Sequence, residues 1–146
     1  MSIDVSIVIP LYNKENFILD TLKSIRAQDF KNWECIIIDD GSTDSSLKVV
    51  TDFCNAHSGN WKIYSVPNGG QTKARNVGIS HAAGRYLAFL DADDLWVTNK
   101  LRKQFDAKVE QIRLEYENDI KSQINNTLNT ILEKVLNDKN GNNSNT

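Results

Sequence analysis

The feature that most constrains this chain is an alternation between short β-branched runs and segments with helical spacing. Val5–Pro10 is the first such run, and a polar loop and then apolar residues at helical spacing follow it. The pattern returns with Glu34–Asp39 and Trp61–Val66, and Arg85–Leu90 supplies a fourth strand. Such alternation favours right-handed βαβ crossovers. The sequence therefore predicts a Rossmann-like α/β fold with a parallel sheet of about four strands and helices on both faces.

Three polar loops come directly after predicted strands. They are Pro10–Lys14, Asp39–Asp44 and Asp91–Asp94. Ligands of open parallel sheets bind at the carboxyl ends of the strands. The three loops are therefore expected to converge on one binding site.

Beyond Asn99 the pattern changes to one long amphipathic stretch with apolar residues at steps of three and four. This predicts one long helix or two, with an apolar stripe too long for a small sheet to cover. Self-association, or docking on a partner, is expected through Ile120, Ile124, Leu128 and Ile131. The Asn-rich end has no apolar residue and is expected to be disordered. The predicted organisation is a domain at 1–105, a helical extension at 106–137 and a tail at 138–146.

The charge balance argues against nucleic acid as a partner. The chain has 146 residues with 17 Lys and Arg against 19 Asp and Glu, so its net charge of −2 provides no basic field. Its apolar runs fall far short of the roughly 18 residues of a membrane span. We expect a cytoplasmic protein, either free or peripheral at the inner face of the membrane.

The strongest local signal is the acidic run Asp91–Asp94 after an apolar strand. Carboxylates this dense repel one another unless a cation neutralises them. Asp91 and Asp93 are separated by one residue, so on extended backbone both side chains can point to the same side. Hard oxygen ligands favour Mg²⁺ or Mn²⁺, with open positions left for substrate phosphates. The alternative is a solvated acidic turn in which Asp94 caps the next helix.

Two other loops combine turn residues with groups that bind ligands. Asp39 and Asp40 precede Gly41; this turn can cap the next helix, or a carboxylate can accept hydrogen bonds from a nucleobase or ribose. Both interpretations stay open from the sequence. Farther on, two glycines precede a helix start that carries Arg75, whose guanidinium suits a diphosphate. The alternative there is a flexible turn with Lys73 in solvent.

Taken in order, four motifs resemble the N-terminal half of the inverting, family 2 type glycosyltransferases with the GT-A fold. The first two are VSIVIPLYNKE at 5–15 and IIIDDGSTD at 36–44. The other two are GQTKARNVGI at 70–79 and GRYLAFLDADDLW at 84–96, which contains the Asp-x-Asp metal motif. The resemblance extends from about Val5 to Phe105.

This resemblance implies roles for individual residues. The base and ribose of a nucleotide-diphosphate sugar, commonly a uridine diphosphate sugar, would be held by Pro10, Tyr12, Asp39 and Asp40. Arg75 would lie near the base or diphosphate, and Asp91 against the ribose or the metal. Asp93 would bind the Mn²⁺ or Mg²⁺ that bridges the diphosphate and acts as a Lewis acid on the departing nucleotide.

The sequence departs from that family after the metal motif, where such enzymes continue with an acceptor pocket and an acidic general base. The acids that follow here have helical spacing typical of a solvated face, so none is assigned as the base: Glu110, Glu115, Glu117 and Asp119. We expect a truncated, weakly active glycosyltransferase of polysaccharide or glycoconjugate synthesis, with an unknown acceptor. The alternative is a non-catalytic nucleotide-sugar-binding or assembly module.

Overall fold

The computed structural model describes residues 2–142. Within that range the elements are β1 (Val5–Leu11), α1 (Ile18–Arg26), β2 (Trp33–Asp39), α2 (Ser46–Ala56), β3 (Trp61–Ser65), α3 (Gln71–Ser80), β4 (Tyr86–Phe89) and α4 (Lys100–Asn142). The described strands pair in parallel in the order β3-β2-β1-β4. This confirms the predicted α/β architecture, a four-stranded parallel sheet followed by a long helix.

The core lies around the two central strands, β1 and β2, which are buried along their whole length. Helix α3 covers one face, where Ala74 packs with Ile36 and Ile38. Side chains alternate along a strand, so the fully buried Ile37 faces the other side, which is therefore covered as well. Gly78 allows α3 to approach closely, because a Cβ there would overlap the side chain of Val8.

Pro10 lies inside β1, and the sheet tolerates it because β4 is short. β4 pairs with β1 only as far as Val8, whose carbonyl accepts the amide of Leu90 at 3.2 Å. Two residues later Pro10 faces the same side of the strand, past the end of β4. In a parallel ladder the next bond would run from the amide of residue 10 to the Leu90 carbonyl. Because Pro10 has no N–H, the pairing of β1 with β4 stops at this point.

A buried polar cluster at the amino-terminal edge of the sheet centres on Glu34, which has no exposed area. Its Oε1 accepts hydrogen bonds from the Ser6 hydroxyl at 2.6 Å and the Ala83 amide at 2.7 Å, and its Oε2 accepts one from Lys62 Nζ at 2.6 Å. Burial alone would raise the pKa of Glu34, but these hydrogen bonds outweigh it and the pKa is lowered. The cluster joins the first three strands to the turn before β4.

The chain divides into two compact units, the first ending at Arg102 and the second beginning at Lys103. The second unit contains the greater part of α4, whose apolar residues are largely exposed. Helix α4 continues to Asn142, so residues 138–142 are helical and the predicted end at 137 is too early. Extending an existing helix is easy compared with nucleating one, and isolated Asn residues do not stop it. Residues 143–146 of the predicted tail lie outside the described residues.

None of the helices in the described range is both long enough and apolar enough to cross a bilayer.

Candidate functional site

The loops at the carboxyl edge of the sheet enclose a cavity of about 520 Å³. The three polar loops meet here as expected, and the loop after β3 also contributes, through Asn68 and Gly70. The cavity is lined by Pro10, Leu11, Tyr12, Lys14, Asp40, Asn68, Gly70, Gln71, Asp91, Ala92 and Asp93. Of the site residues predicted from the sequence, Asp39 and Arg75 are outside this wall.

The loops after β1 and β2 are joined by Asn13. This residue has a positive φ of 49°, a conformation that Asn tolerates. Its Oδ1 accepts the amides of Thr43 at 2.8 Å and Asp44 at 3.3 Å. The Asp44 carboxylate accepts the amides of Ser46 and Glu15, and although burial opposes the effect, these bonds lower the pKa of Asp44. The two loops therefore form one rigid wall, and Asp44 holds the first turn of α2.

Asp40 is only 3% exposed, and both of its carboxylate oxygens already accept backbone hydrogen bonds. Oδ1 accepts the Gly69 amide at 2.9 Å and Oδ2 accepts the Gly70 amide at 3.0 Å. Gly41 beside it has a φ of 71°, and a Cβ there would lie 2.8 Å from the backbone nitrogen of Asn68. Asp40 thus ties the loop after β2 to the loop before α3. Any contact from Asp40 to a base or ribose would share an oxygen with these amides.

Asp39 and Arg75 lie beside the cavity. Asp39, the last residue of β2, is 3% exposed and its Oδ1 accepts the Ser42 amide at 3.4 Å. Arg75 lines an adjoining cavity of about 270 Å³. Its Nε is buried and has no hydrogen-bond partner among the described residues, while its guanidinium carbon lies 5.9 Å from the centre of the Phe89 ring.

Asp91 lines both cavities and connects them. Its Oδ1 accepts hydrogen bonds from Arg75 Nη2 and Gln71 Nε2, each at 3.1 Å. Its side chain remains 46% exposed. Gln71, the first residue of α3, was missed from the sequence, although its position directly after Gly70 at a helix start was the available signal.

Asp93 pairs with Lys14, another residue that sequence reasoning did not assign to the site. Lys14 Nζ lies 3.3 Å from Asp93 Oδ2, and the two side chains are 39% and 43% exposed. The described residues contain no group of three or more acidic, His or Cys side chains arranged to hold a metal. Two half-exposed carboxylates nevertheless fit a Mg²⁺ or Mn²⁺ ion whose remaining ligands are water and the phosphate oxygens of a substrate.

The segment that follows these carboxylates is held by a polar stripe, defined as Thr21 and Ser24 on α1 and Gln28 two residues beyond its end. Thr21 Oγ1 donates to the Asp94 carbonyl at 2.7 Å, and Ser24 Oγ accepts the Trp96 amide at 3.2 Å. Gln28 Nε2 donates to the Val97 carbonyl at 2.7 Å, and its Oε1 accepts the Leu101 amide at 3.1 Å. Sequence reasoning missed the stripe, whose only signal is three polar residues at helical spacing.

The chain matches known glycosyltransferases. The family model described as "Glycosyl transferase family 2" matches residues 6–111. The minor teichoic acid biosynthesis protein GgaA of Bacillus subtilis is 40% identical over 106 residues, which are 69% of this chain and 24% of GgaA. The Escherichia coli enzyme WfgD, a UDP-Glc:alpha-D-GlcNAc-diphosphoundecaprenol beta-1,3-glucosyltransferase, is 38% identical over 103 residues, 68% of this chain and 39% of WfgD. This chain thus spans less than half of either relative.

Solved structures show the same fold. Residues 1–349 of S. aureus TarS in complex with UDP superpose with a TM-score of 0.68 at 32% identity, covering 75% of this chain and 32% of that one. The Pyrobaculum calidifontis mannosyltransferase PcManGT, in complex with GDP-Man and Mn²⁺, gives a TM-score of 0.58 at 28% identity over 66% of this chain and 29% of that one.

Proposed function

The chain belongs to glycosyl transferase family 2, and we propose that the cavity at the carboxyl edge of its sheet binds the nucleoside diphosphate of a sugar donor, specifically a UDP-sugar. The observation that carries this proposal is the pair of carboxylates, Asp91 and Asp93, each ion-paired with a cation at the mouth of the cavity. The UDP and UDP-GlcNAc complexes of TarS support uridine as the base.

The two ion pairs are suited to rearrange when a diphosphate arrives. Lys14 and Arg75 are each more than a third exposed, and neither is locked in a buried network. A diphosphate offers both cations a denser negative charge than one carboxylate does. Their transfer to phosphate would leave Asp91 and Asp93 free to ligate Mn²⁺ or Mg²⁺. When bound, such an ion supplies Lewis-acid stabilisation of the charge on the departing diphosphate.

We assign the reaction as transfer of the donor sugar to an acceptor hydroxyl in polysaccharide or glycoconjugate synthesis. The acceptor oxygen forms a bond to the anomeric carbon, the bond from that carbon to the diphosphate breaks, and the hydroxyl proton leaves to a base. The relatives GgaA and WfgD support this class of product. No catalytic base is assigned: the acids of α4 are exposed, and Glu110 and Glu117 both pair with Arg113.

Calorimetry tests the donor site directly. UDP is titrated into the protein in Mn²⁺ and again after a chelator has removed the ion. We expect clearly tighter binding with Mn²⁺, because carboxylates and diphosphate repel each other unless a cation lies between them. Equal affinities under both conditions would overturn the metal bridge, and no binding in either would overturn the nucleotide site.

The alternative function, a nucleotide-sugar-binding or assembly module, is favoured by one observation on the second unit. Ile120, Ile124, Leu128 and Ile131 keep between 39% and 54% of their area exposed. The occupant that suits this row is a second copy of the helix. Acidic residues outnumber basic ones between 103 and 119, and the reverse holds between 120 and 139, so antiparallel copies would pair opposite charges. A monomeric mass by light scattering at high micromolar concentration would contradict this pairing.

Donor turnover separates the two functions. Radiolabelled UDP-sugar is incubated with the 146-residue chain and a panel of acceptors, and transfer is measured beside release of free nucleotide. We expect binding with slow hydrolysis and poor transfer, because no residue is assigned to position the acceptor or to act as the base. A general base alone typically raises the rate by roughly a hundred- to ten-thousand-fold. Efficient transfer would show that an acid of α4 completes the active site.

A further inference from the structure

A second cavity, of about 710 Å³, lies at the amino-terminal edge of the sheet, away from the donor site. Trp33, the first residue of β2, forms part of its wall. The last turn of α1, Lys31, the end of α2 and residues 58–60 form the rest. The residues that matter here are Lys23, Arg26, Lys31, Trp33, Phe53 and His57. None of them lines the cavity at the carboxyl edge.

The rim of this cavity is strongly basic. Lys23, Arg26 and Lys31 are exposed around it, and no acidic residue is among its described lining. Lys31 Nζ donates to the Arg26 carbonyl at 3.0 Å, whereas the side chains of Lys23 and Arg26 have no ionic partner in the part of the chain described. Cations in the last turn of a helix complement its dipole, which accounts for two of the three. The dipole of α1 does not account for Lys31, which comes from the next segment.

A second unusual feature adjoins the cavity: Trp33 lies in its wall and contacts Trp61, which is outside the wall. The Trp33 ring packs edge-on against Trp61 with 5.0 Å between centroids, and Trp61 packs against Phe53 at 5.6 Å. The indole nitrogens of Trp33 and Trp61 are both buried, and neither finds an acceptor among the described residues. Buried N–H groups without a partner are rare in folded proteins. Gly59, which lines the cavity, lies directly against the Trp61 indole nitrogen.

We propose that this cavity binds a phosphate-bearing anion. Arg26 offers a planar fork for phosphate oxygens, Lys23 and Lys31 add point charges, and the two indoles supply hydrogen-bond donors that lack acceptors. A small movement of the segment around Gly59 would let the Trp61 N–H reach the ligand. The site is independent of the proposed donor site, since the two share no residue.

The test follows the indole N–H signals of the tryptophans by NMR. Pyrophosphate is titrated into ¹⁵N-labelled protein, and the Trp96→Phe variant identifies the one indole signal that does not belong to the pair. We expect the Trp33 and Trp61 signals to shift together, and Arg26→Gln with Lys23→Gln to weaken that response about tenfold or more. Both substituted residues are exposed, so the double variant is expected to fold.

Two controls distinguish binding at this cavity from binding at the proposed donor site. Lys14→Ala is expected to leave the indole response intact, and the double variant is expected to leave UDP binding intact. Vesicles containing phosphatidylglycerol then test a lipid headgroup as the source of the phosphate, with phosphatidylcholine vesicles as the neutral comparison. A response to pyrophosphate or to the anionic vesicles supports the site. Absence of both responses, equal binding to neutral vesicles, or a response that survives the double substitution would overturn it.

Discussion

At the amino-terminal edge of the sheet Glu34 is fully buried and its hydrogen bonds measure 2.6 to 2.7 Å, whereas at the carboxyl edge Asp91 and Asp93 are nearly half exposed and their ion pairs measure 3.1 and 3.3 Å. Glu34 has donors on both oxygens. At Asp93 one oxygen pairs with Lys14, whose side chain is 39% exposed. The Glu34 carboxylate is thus fixed at one edge, whereas the carboxylates of Asp91 and Asp93 are accessible at the other.

The difference separates a structural carboxylate, Glu34, from the two carboxylates that we propose bind a ligand. Removing one partner from a buried, hydrogen-bonded pair is costly, because the remaining groups lose their partners without gaining water. A half-exposed pair contributes little to stability, since water solvates both partners when they separate. The half-exposed ion pairs of Asp91 and Asp93 can therefore exchange partners with a ligand at a small cost in free energy.

The largest effect is expected at the buried edge. Glu34→Ala removes the acceptor of the Ser6 hydroxyl and the Ala83 amide together with the counterion of Lys62. We expect the free energy of unfolding to fall by about 3 kcal/mol in denaturant titrations. Glu34→Gln retains an acceptor and should lose distinctly less. If the alanine variant were as stable as the parent, the Glu34 carboxylate would contribute as little to the free energy of unfolding as we expect of Asp91 and Asp93.

The next effect is expected on binding at the open edge. Asp93→Asn keeps the shape of the side chain but removes the charge that the proposed cation requires. We expect its affinity for UDP in Mn²⁺ to fall by about tenfold, with the free energy of unfolding essentially unchanged. Asp52→Asn, an exposed acid on α2, is the matched control and should bind UDP as the parent does. Equal losses in both variants would mean that net charge, and not the site, governs binding.

The buried pair also predicts a pH dependence. Because the folded pKa of Glu34 lies below its ordinary value of 4.5, its contribution to stability is complete above that value and is lost as the pH falls through the lowered pKa. Between about pH 5 and pH 3 the parent should therefore lose stability faster than Glu34→Gln does. Parallel curves for the two proteins would show that Glu34 is not the group that titrates.

The smallest effect is expected for an ion pair that is exposed on both sides. Lys48 and Asp52 pair along α2 with 76% and 63% of their side chains exposed. Lys48→Ala should lower the free energy of unfolding by at most about 0.5 kcal/mol. A loss comparable to that of Glu34→Ala would remove the distinction between fixed and exposed pairs.

The strands and the placement of the acidic loops were predictable because they depend on local patterns. The β-branched run that ends at Asp39 identifies both a strand and its carboxyl end, and the run that stops at Pro10 places the end of β1 within one residue. The partners of the site carboxylates were not predictable in the same way, since Lys14 and Asp93 are far apart in sequence and meet only through the sheet. For Asp40 the sequence leaves both a turn role and a ligand contact open, and the backbone amides of Gly69 and Gly70 that its oxygens accept are not visible in any local pattern.

Buried polar residues were the hardest to identify. The apolar residues of α1 predicted the helix, but Thr21 on it and Gln28 just beyond its end are fully buried, although a hydropathy pattern places both in solvent. Their role depends on carbonyls and amides some seventy residues later, which no local rule can supply. The end of α4 was also placed too early, because low helix propensity lowers helix content without imposing a stop.

The polar stripe has a consequence for exchanging parts between relatives. The segment from Asp94 to Leu101 is docked by Thr21, Ser24 and Gln28. The equivalent segment transplanted from another family member would bring backbone groups shaped for a different helix. Such chimaeras should therefore keep the stability of the parent only when this segment and the Thr21–Gln28 region are transplanted together, even though β2, α2, β3, α3 and β4 lie between them in the sequence.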